Sequence, residues 1–476
     1  MRVTMIGAGY VGLVSGTCFA DFGHQVTCID KDAAKIAALN RGEIPIFEPG
    51  LAELVESNMR QGRLEFAGET SCVSEADVVF VAVGTPSRRG DGHADLSFVY
   101  QAVHEIAPLL SGAALVIAKS TVPVGTGDEI ESILREKRPD ANIQVVSNPE
   151  FLREGAAIQD FKHPDRIVVG SDNDRARKVL AEIYRPLYLN TPPIIYVSRR
   201  TAELIKYASN AFLATKITFI NEMADLCEQV GADVQEVARG MGLDNRIGSK
   251  FLHAGPGFGG SCFPKDTNAL IKTAHDHGVP LRLVETVSAV NEQRKRAMAR
   301  KVVQALGGSV RSKTIAVLGL TFKPNTNDTR GSPSIPLITA LHDLGAIVRG
   351  YDPAGMEQAK PHLPDVHYCN SAYGAAEGAD AMVIATEWEQ FRALDLFRLK
   401  ALMTQPVIVD LRNIYRADEM RRAAFRYVPI GRGTLKLNIV PESEPRLVTE
   451  QRAAGRIFEI ATNRGRVRSG LSRSGV

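Results

Sequence analysis

The sequence predicts an α/β fold with two parallel sheets joined by a helical segment, and three observations carry the prediction. The stretch "VTMIGAGYVGLVSGTCFADFG" reads as an apolar strand, a glycine turn and a small-residue helix. A second set of strands, "IAVLGLTF", "AIVRGYDP" and "ADAMVIATEW", repeats "VTMIGAGY", "QVTCIDKD" and "ADVVFVAVGT" in the same order and at similar separations. Between the two sets lies "TAELIKYASNAFLATKITFINEMADLCEQVG", with threonine at its start, glycine at its end and no internal proline. It reads as one long helix over residues 201–231.

The first unit is expected over residues 1–200. In its opening turn Gly7 permits the tight bend, Gly9 lets the backbone approach a pyrophosphate, and Gly12 lets the helix pack on the strand while its first amides face the anion. The next strand, "HQVTCID", ends in Asp30, where a carboxylate accepts from a ribose 2′-OH and repels a 2′-phosphate. Strand, turn, helix, strand and acid in this order predict a Rossmann-type unit that prefers NAD to NADP. The runs "ADVVFVAVGTP" and "ALVIAKSTVP" suit strands buried on both faces, with Thr85 and Thr121 at their carboxyl ends, where such sheets bind ligands. After a further strand, "SNPEFLREGAAIQDFKHPDRIVVG" places Glu150 and Glu154 as candidate bases or ligands for sugar hydroxyls. Glu154 reads equally well as an acid in the first turn of a helix.

A central helical segment is expected over 201–300 and a second Rossmann-like unit over 311–440. Gly319 matches Gly7, but Thr321 and Pro324 stand where Gly9 and Gly12 stood, so this copy is not expected to bind a dinucleotide in the same way. Its turn carries Lys323 and Arg330, a basic pair suited to a nucleotide diphosphate or to the neighbouring cofactor. The last stretch, "RGRVRSGLSRSGV", is polar and basic, and a disordered tail is expected over 450–476.

Composition excludes several classes. The 476 residues, 44% hydrophobic and 23% charged, suit a globular chain of two or three domains. A net charge of +3 makes no case for nucleic acid. The 6 cysteines are scattered without a C-x-x-C pair, so reduced thiols are expected rather than disulfides or a metal site. "MRVTMIGAGY" enters a strand pattern at once, so no signal peptide is expected, and no apolar run reaches membrane-span length. A soluble, cytoplasmic protein is expected.

The chemistry gathers at "GPGFGGSCFPKD", where Cys262 follows a run of glycines and precedes Lys265 and Asp266. Lys206 and Asn210 stand at i and i+4 of the long helix, so both can donate to one substrate oxygen and stabilise an alkoxide during hydride transfer. A thiolate at Cys262 is expected to be favoured by Lys206 and Lys265, with Asp266 as the base that activates water. The apolar face of the long helix suits either a two-fold dimer or packing within one subunit.

Taken together, "GAGYVG", "NPEFLREGAAIQDF", "PDRIVVG", "GPGFGGSCFPKD" and "FKPNTNDTRGSPS" resemble the UDP-glucose 6-dehydrogenase family of NAD-dependent nucleotide-sugar dehydrogenases from residue 1 to about 440. The resemblance implies NAD-binding, central helical and UDP-binding domains. It makes Cys262 the nucleophile, Lys206 and Asn210 the oxyanion donors, and Asp266, Thr121 and Glu150 their helpers with proton and water. It assigns NAD to the turn of Gly7, Gly9, Tyr10, Val11 and Gly12, to Asp30 and Lys35, and to Thr85, Thr121, Glu154, Lys265 and Arg330. It assigns the UDP-sugar to Glu150, Phe151, Leu152, Arg153 and Glu154, to Lys206 and Asn210, to Phe251, Leu252, His253, Ala254 and Gly255, and to Gly259 and Lys323. Arg246 is implied to reach a neighbouring subunit's ligand, hence a homodimer. Leu411 stands where the family often has glycine, which loosens the assignment of Arg412 to substrate.

The implied reaction takes UDP-glucose to UDP-glucuronate. Four electrons leave while each NAD accepts one hydride, so the aldehyde must be retained between oxidations, and a thiol can retain it. GDP-mannose and UDP-N-acetyl-mannosamine enzymes are the nearest rivals, although "GGSC" in place of the "GGHC" of the acetamido-sugar enzymes, together with "PDRIVVG", favours UDP-glucose. A two-electron hydroxyacid dehydrogenase would need neither Cys262 nor the second unit, and a silent NAD-sensing scaffold would need none of these side chains.

Overall fold

A computed structural model describes residues 1–433 except 89, 91 and 188–192. The expected tail and the last residues of the expected second unit lie outside the described residues.

The first sheet has the strand order β3-β2-β1-β4-β5-β6-β7-β8, built from β1 (Arg2–Ile6), β2 (Gln25–Ile29), β3 (Leu64–Ala67), β4 (Val78–Val81), β5 (Leu115–Ala118), β6 (Gln144–Ser147), β7 (Ile167–Gly170) and β8 (Ile194–Val197). Strands β1 to β6 are parallel, and the order reverses between β1 and β4, which opens a crevice at their carboxyl ends. Every residue of β4 and β5 is buried, because helices cover both faces. Strand β7 departs from the parallel pattern and meets β6 antiparallel through Ser147 and Gly170. Residues 148–166 hold only one short helix, Ala157–Lys162, so the chain does not cross back over the sheet. The segment with Glu150 and Glu154 therefore stays at the carboxyl edge.

The second sheet repeats the plan with every pair parallel: β9 (Thr314–Leu318), β10 (Ile347–Tyr351), β11 (His367–Tyr368), β12 (Ala381–Ile384), β13 (Val407–Asp410) and β14 (Arg426–Pro429), in the order β11-β10-β9-β12-β13-β14. Asp352 ends β10 as Asp30 ends β2, but it is fully buried. Its carboxylate accepts from the amides of Leu320 (2.7 Å), Thr321 (3.0 Å) and Gly355 (2.8 Å) and from the Thr321 hydroxyl (3.0 Å). The protein's own donors take the place a ribose would occupy, which accounts physically for the altered glycine pattern of this turn.

The long helix runs Arg199–Val230, two residues earlier than expected, because the Ser198 side chain accepts from the Thr201 amide and caps it; Gly231 closes it at φ 78°. Its 32 residues span about 48 Å. Near its start Tyr207 and Ala211 pack on Ala269 and Leu270 of the helix Phe263–Asp276. Towards its end Ile220, Ala224 and Cys227 join a core that also holds Met298 and Val302 of the helix Arg282–Ala305 and Val317 of β9. The central segment is thus several helices rather than one. No described helix is long and apolar enough to cross a membrane.

Candidate active site

The glycine turn divides its labour as the spacing demands. Gly7 has φ 101°, and a Cβ there would stand 2.8 Å from the Ala82 carbonyl oxygen; a Cβ on Gly12 would stand 1.8 Å from that of Gly7. A Cβ on Gly9 meets nothing within 4 Å, so the backbone there faces open space. Tyr10 and Val11 begin the helix Tyr10–Asp21 behind it, and its first amides face the same space. The Asp30 carboxylate accepts from the Ala8 amide at 3.0 Å, the Asp32 amide at 3.0 Å and Lys35 Nζ at 2.8 Å. Burial works to raise its pKa, but Lys35 and the two amides outweigh burial and hold it below the ordinary range. Open backbone, helix amides and a charged acid fit a dinucleotide. The Tyr10 hydroxyl is engaged elsewhere: it donates to Glu48, which also accepts from the amides of Gly155 (2.6 Å) and Ala157 (2.7 Å). The cofactor turn is thereby tied to the loop bearing Glu150 and Glu154.

Cys262 stands at the amino end of the helix Phe263–Asp276, beside the long helix. Four side chains expected around it form two buried pairs. Lys206 Nζ donates to Glu150 at 3.0 Å, and Asn210 Nδ2 donates to Asp266 at 2.6 Å. Lys265 joins the second pair, 2.7 Å from Asp266 and 3.4 Å from the Thr85 hydroxyl, which donates to the Thr121 carbonyl at 2.9 Å. Lys206 keeps its charge: burial alone would lower its pKa, but Glu150, Cys262 and Asp266 raise it. The Cys262 thiol does not follow expectation. Burial pushes it above the ordinary thiol range, Glu150 and Asp266 push the same way, and the opposing pull of Lys206 and the Ser261 hydroxyl does not prevail. Lys265 is committed to Asp266, so the resting group is a thiol.

The second unit closes the other side. Glu154 accepts from Ser261 Oγ (3.0 Å) and Thr326 Oγ1 (3.2 Å) and lies 3.9 Å from Arg330, whose guanidinium is paired with Asp328. Burial first and Asp328 second raise the Glu154 pKa; burial lowers that of Lys323, with Glu154 opposing. Gly259 and Gly260 are small because a Cβ would lie 2.3 Å from the Gly331 carbonyl oxygen or 2.8 Å from the Phe322 ring. Phe251 has φ 66° and its ring meets that of Phe263; Leu252 is buried in the second core, His253 is exposed and Ala254 is half-buried. Arg412 reaches this loop, 3.3 Å from where a Gly255 Cβ would stand, and donates to the Ala385 and Phe322 carbonyls. The Phe151 ring carries the Arg166 guanidinium at 3.8 Å and Lys206 Nζ at 5.3 Å, and the Leu152 amide donates to Glu150 at 2.5 Å. Arg153 is turned to Asp160. Arg246 stands apart from the cluster, its side chain 89% exposed and paired with Asp244.

Residues 1–188 match the NAD-binding domain of the UDP-glucose/GDP-mannose dehydrogenase family, residues 200–293 its central domain and residues 316–417 its UDP-binding domain. A UDP-glucose 6-dehydrogenase of Rhizobium meliloti is 66% identical over 435 residues, 91% of this chain and 100% of the relative. The chain belongs to the UDP-glucose/GDP-mannose dehydrogenase family. Within it, the UDP-glucose 6-dehydrogenase TuaD of Bacillus subtilis is 47% identical over 91% of this chain and 94% of its own. Among solved structures, a UDP-glucose dehydrogenase from Pyrobaculum islandicum superposes with a TM-score of 0.82 at 37% identity, covering 90% of this chain and 96% of that one. A UDP-D-ManNAc dehydrogenase from Pyrococcus horikoshii gives 0.80 at 27%, covering 91% and 100%.

This family member also holds residues that sequence reasoning passed over. Glu203 accepts from the amides of Gly125 (2.7 Å) and Gly127 (2.8 Å) and from Ser147 Oγ (3.0 Å), so it ties the loop after Thr121 to the long helix. Its place three residues before Lys206 was the available signal. Lys119 is wholly buried against Asn148 Oδ1 (3.1 Å) and the Tyr184 hydroxyl (3.2 Å), and burial pushes its pKa down to about 8, with Glu150 opposing and Lys206 reinforcing. Glu48, in "IFEPG", offered no signal at all.

Proposed function

We propose that this dehydrogenase oxidises UDP-glucose at C6 to UDP-glucuronate with two equivalents of NAD, holding the aldehyde on Cys262. The observation that carries the reading is the gathering of Lys206, Asn210, Asp266 and Glu150 about a cysteine at the meeting of the two units. The names of the similar proteins support the substrate. In this reading residues 1–200 bind NAD, residues 201–300 link the units and supply the donors, and residues 311–440 hold the UDP-sugar with Lys323 and Arg412.

NAD, when bound, takes up the hydride of each oxidation. Lys206 and Asn210 stabilise the C6 oxygen as its proton leaves. The Cys262 thiol adds to the aldehyde carbon, forming a C–S bond while its proton passes to the oxygen. After the second oxidation a thioester remains. Water adds at that carbon, the C–S bond breaks, and the sulfur regains a proton. Asp266 and Thr121 serve this last step.

Arg246 serves a neighbouring subunit in this reading, and its exposure is consistent with that. A homodimer is supported by an apolar stripe on the long helix, where Leu204, Phe212, Phe219, Leu226 and Val230 are exposed within a sector of about 80°. NADH formed per sugar consumed, over a panel of UDP- and GDP-sugars, tests the whole. Two NADH with UDP-glucose and little reaction with NADP are expected; one NADH with aldehyde as product excludes the scheme.

A further inference from the structure

On one face, the loop that delivers Cys262 is held by side chains of two helices. Asn291, on the helix Arg282–Ala305, accepts from the Phe258 amide at 2.8 Å and donates to the Phe258 carbonyl at 3.1 Å. One turn further on, Arg294 donates from Nε to the Gly255 carbonyl at 2.7 Å, and from Nη1 to the Asn221 carbonyl at 3.1 Å and to Asp225 at 2.8 Å. Asn221, on the long helix, accepts from the Gly255 amide at 2.8 Å. Both backbone polar groups of Gly255 and both of Phe258 are therefore taken by three buried side chains.

Gly257, between them, has φ 119°, and a Cβ there would lie 2.9 Å from Asn291 Oδ1 and 3.1 Å from Lys295 Cγ. The loop thus lies directly on the helix. Its other face is fixed to the second unit through the Gly260 amide, which donates to the Arg330 carbonyl at 2.8 Å. This hold has a cost: Asn221 Nδ2 and Arg294 Nη2 are buried without a hydrogen-bond partner among the described residues. Apolar side chains at these positions would instead leave the buried amide and carbonyl of Gly255 without partners, so the two polar side chains fix the loop's shape. Asn221 also stands about three turns beyond Asn210 on the same side of one helix. The element that presents the donors also holds the loop that presents the nucleophile.

We infer that Asn221, Asn291 and Arg294 are positioning residues that set the Cys262 sulfur and the sugar-binding stretch 251–255 against Lys206 and Asn210. The inference rests on the reading of Cys262 as nucleophile. When the loop is loosened, the first oxidation continues while capture of the aldehyde falls behind, and aldehyde escapes.

Asn291→Leu, which keeps volume and deletes both bonds to Phe258, and Arg294→Lys, which keeps charge and deletes the fork, test it. The measurements are kcat for acid formation, KM for each ligand, thermal midpoint and NADH formed per acid formed. Asn291→Leu is expected to lose ~10²-fold in kcat, the scale of a 1 Å misplacement, with KM for NAD and thermal midpoint close to wild type and more than two NADH per acid. Arg294→Lys is expected to show the same ratio and a raised KM for UDP-glucose, and it decides the matter if Asn291→Leu does not fold. Wild-type kcat with a ratio of two overturns the inference. So does a rate loss that merely follows a lower thermal midpoint and weaker NAD binding. Cys262→Ala is run beside them: acid formation near the parent rate brings down the nucleophile reading and this inference together, whereas an inactive Cys262→Ala with unimpaired Asn291 and Arg294 variants removes the positioning role alone.

Discussion

Around the Cys262 sulfur, burial and two carboxylates pull against one ammonium and one hydroxyl. Burial, Glu150 and Asp266 oppose ionisation, while Lys206 and Ser261 favour it. Because the thiolate is the charged form, a raised pKa lowers its share at any given pH. Alkylation of Cys262 by iodoacetamide should therefore rise with pH and reach its midpoint above the ~8.5 of a free thiol. Lys206→Ala removes the main opposing charge, so the midpoint should move higher still and alkylation at pH 8 should slow; an unmoved midpoint would detach Lys206 from the thiol. Replacing the sulfur itself separates the two oxidations. Cys262→Ala leaves Lys206 and Asn210 in place, so both ligands should still bind, but acid formation should fall ~10³-fold or more because no thioester can form. Acid formation near the parent rate would make the thiol structural.

Two glycines three residues apart in the first turn predict opposite failures. At Gly12 a Cβ would stand 1.8 Å from the backbone oxygen of Gly7, and neither atom is on a flexible side chain, so Gly12→Ala must part helix from turn and should give little folded protein. At Gly9 the Cβ has open space, so Gly9→Ala should fold with a near-normal thermal midpoint. That space is where a pyrophosphate would lie, and NAD affinity should drop by roughly tenfold, ~1.4 kcal/mol, or more. Equal losses of stability in the two variants would refute this division. The long helix offers a gentler check: Ser198→Ala removes the cap on Thr201 and should cost ~1 kcal/mol in denaturant unfolding.

At the scale of the molecule, the proposed homodimer links the exposed stripe of the long helix with the exposed Arg246. If that dimer forms through the stripe, a charge placed at Phe212, which is 66% exposed, should leave the subunit folded while shifting its sedimentation from dimer to monomer. If Arg246 completes a partner's site, that monomer should lose activity, and Arg246→Ala should raise the KM for UDP-glucose more than the KM for NAD. An unsubstituted chain that sediments as a monomer would argue against the dimer, and a fully active monomeric variant, or equal changes in both KM values, against the role of Arg246.

What the sequence determined by itself is local and periodic. The two strand series, the turn of Gly7, Gly9 and Gly12, the acid at Asp30, and Lys206 with Asn210 on one helix face all follow from spacings of a few residues, because backbone geometry repeats over that range. The repeat also signalled that the second turn is no copy of the first, and Thr321 against Asp352 gives the reason. Tertiary structure alone decided the rest. The reversal at β7, the tie from Glu203 to Gly125 and Gly127, and the hold of Asn291 and Arg294 on the cysteine loop join residues far apart in the chain, and no local pattern encodes such contacts. The charge state of Cys262 departs from the sequence expectation for the same reason. Flanking lysine and aspartate can be read from sequence, but burial and the approach of Glu150 from another strand's exit exist only once the chain has folded.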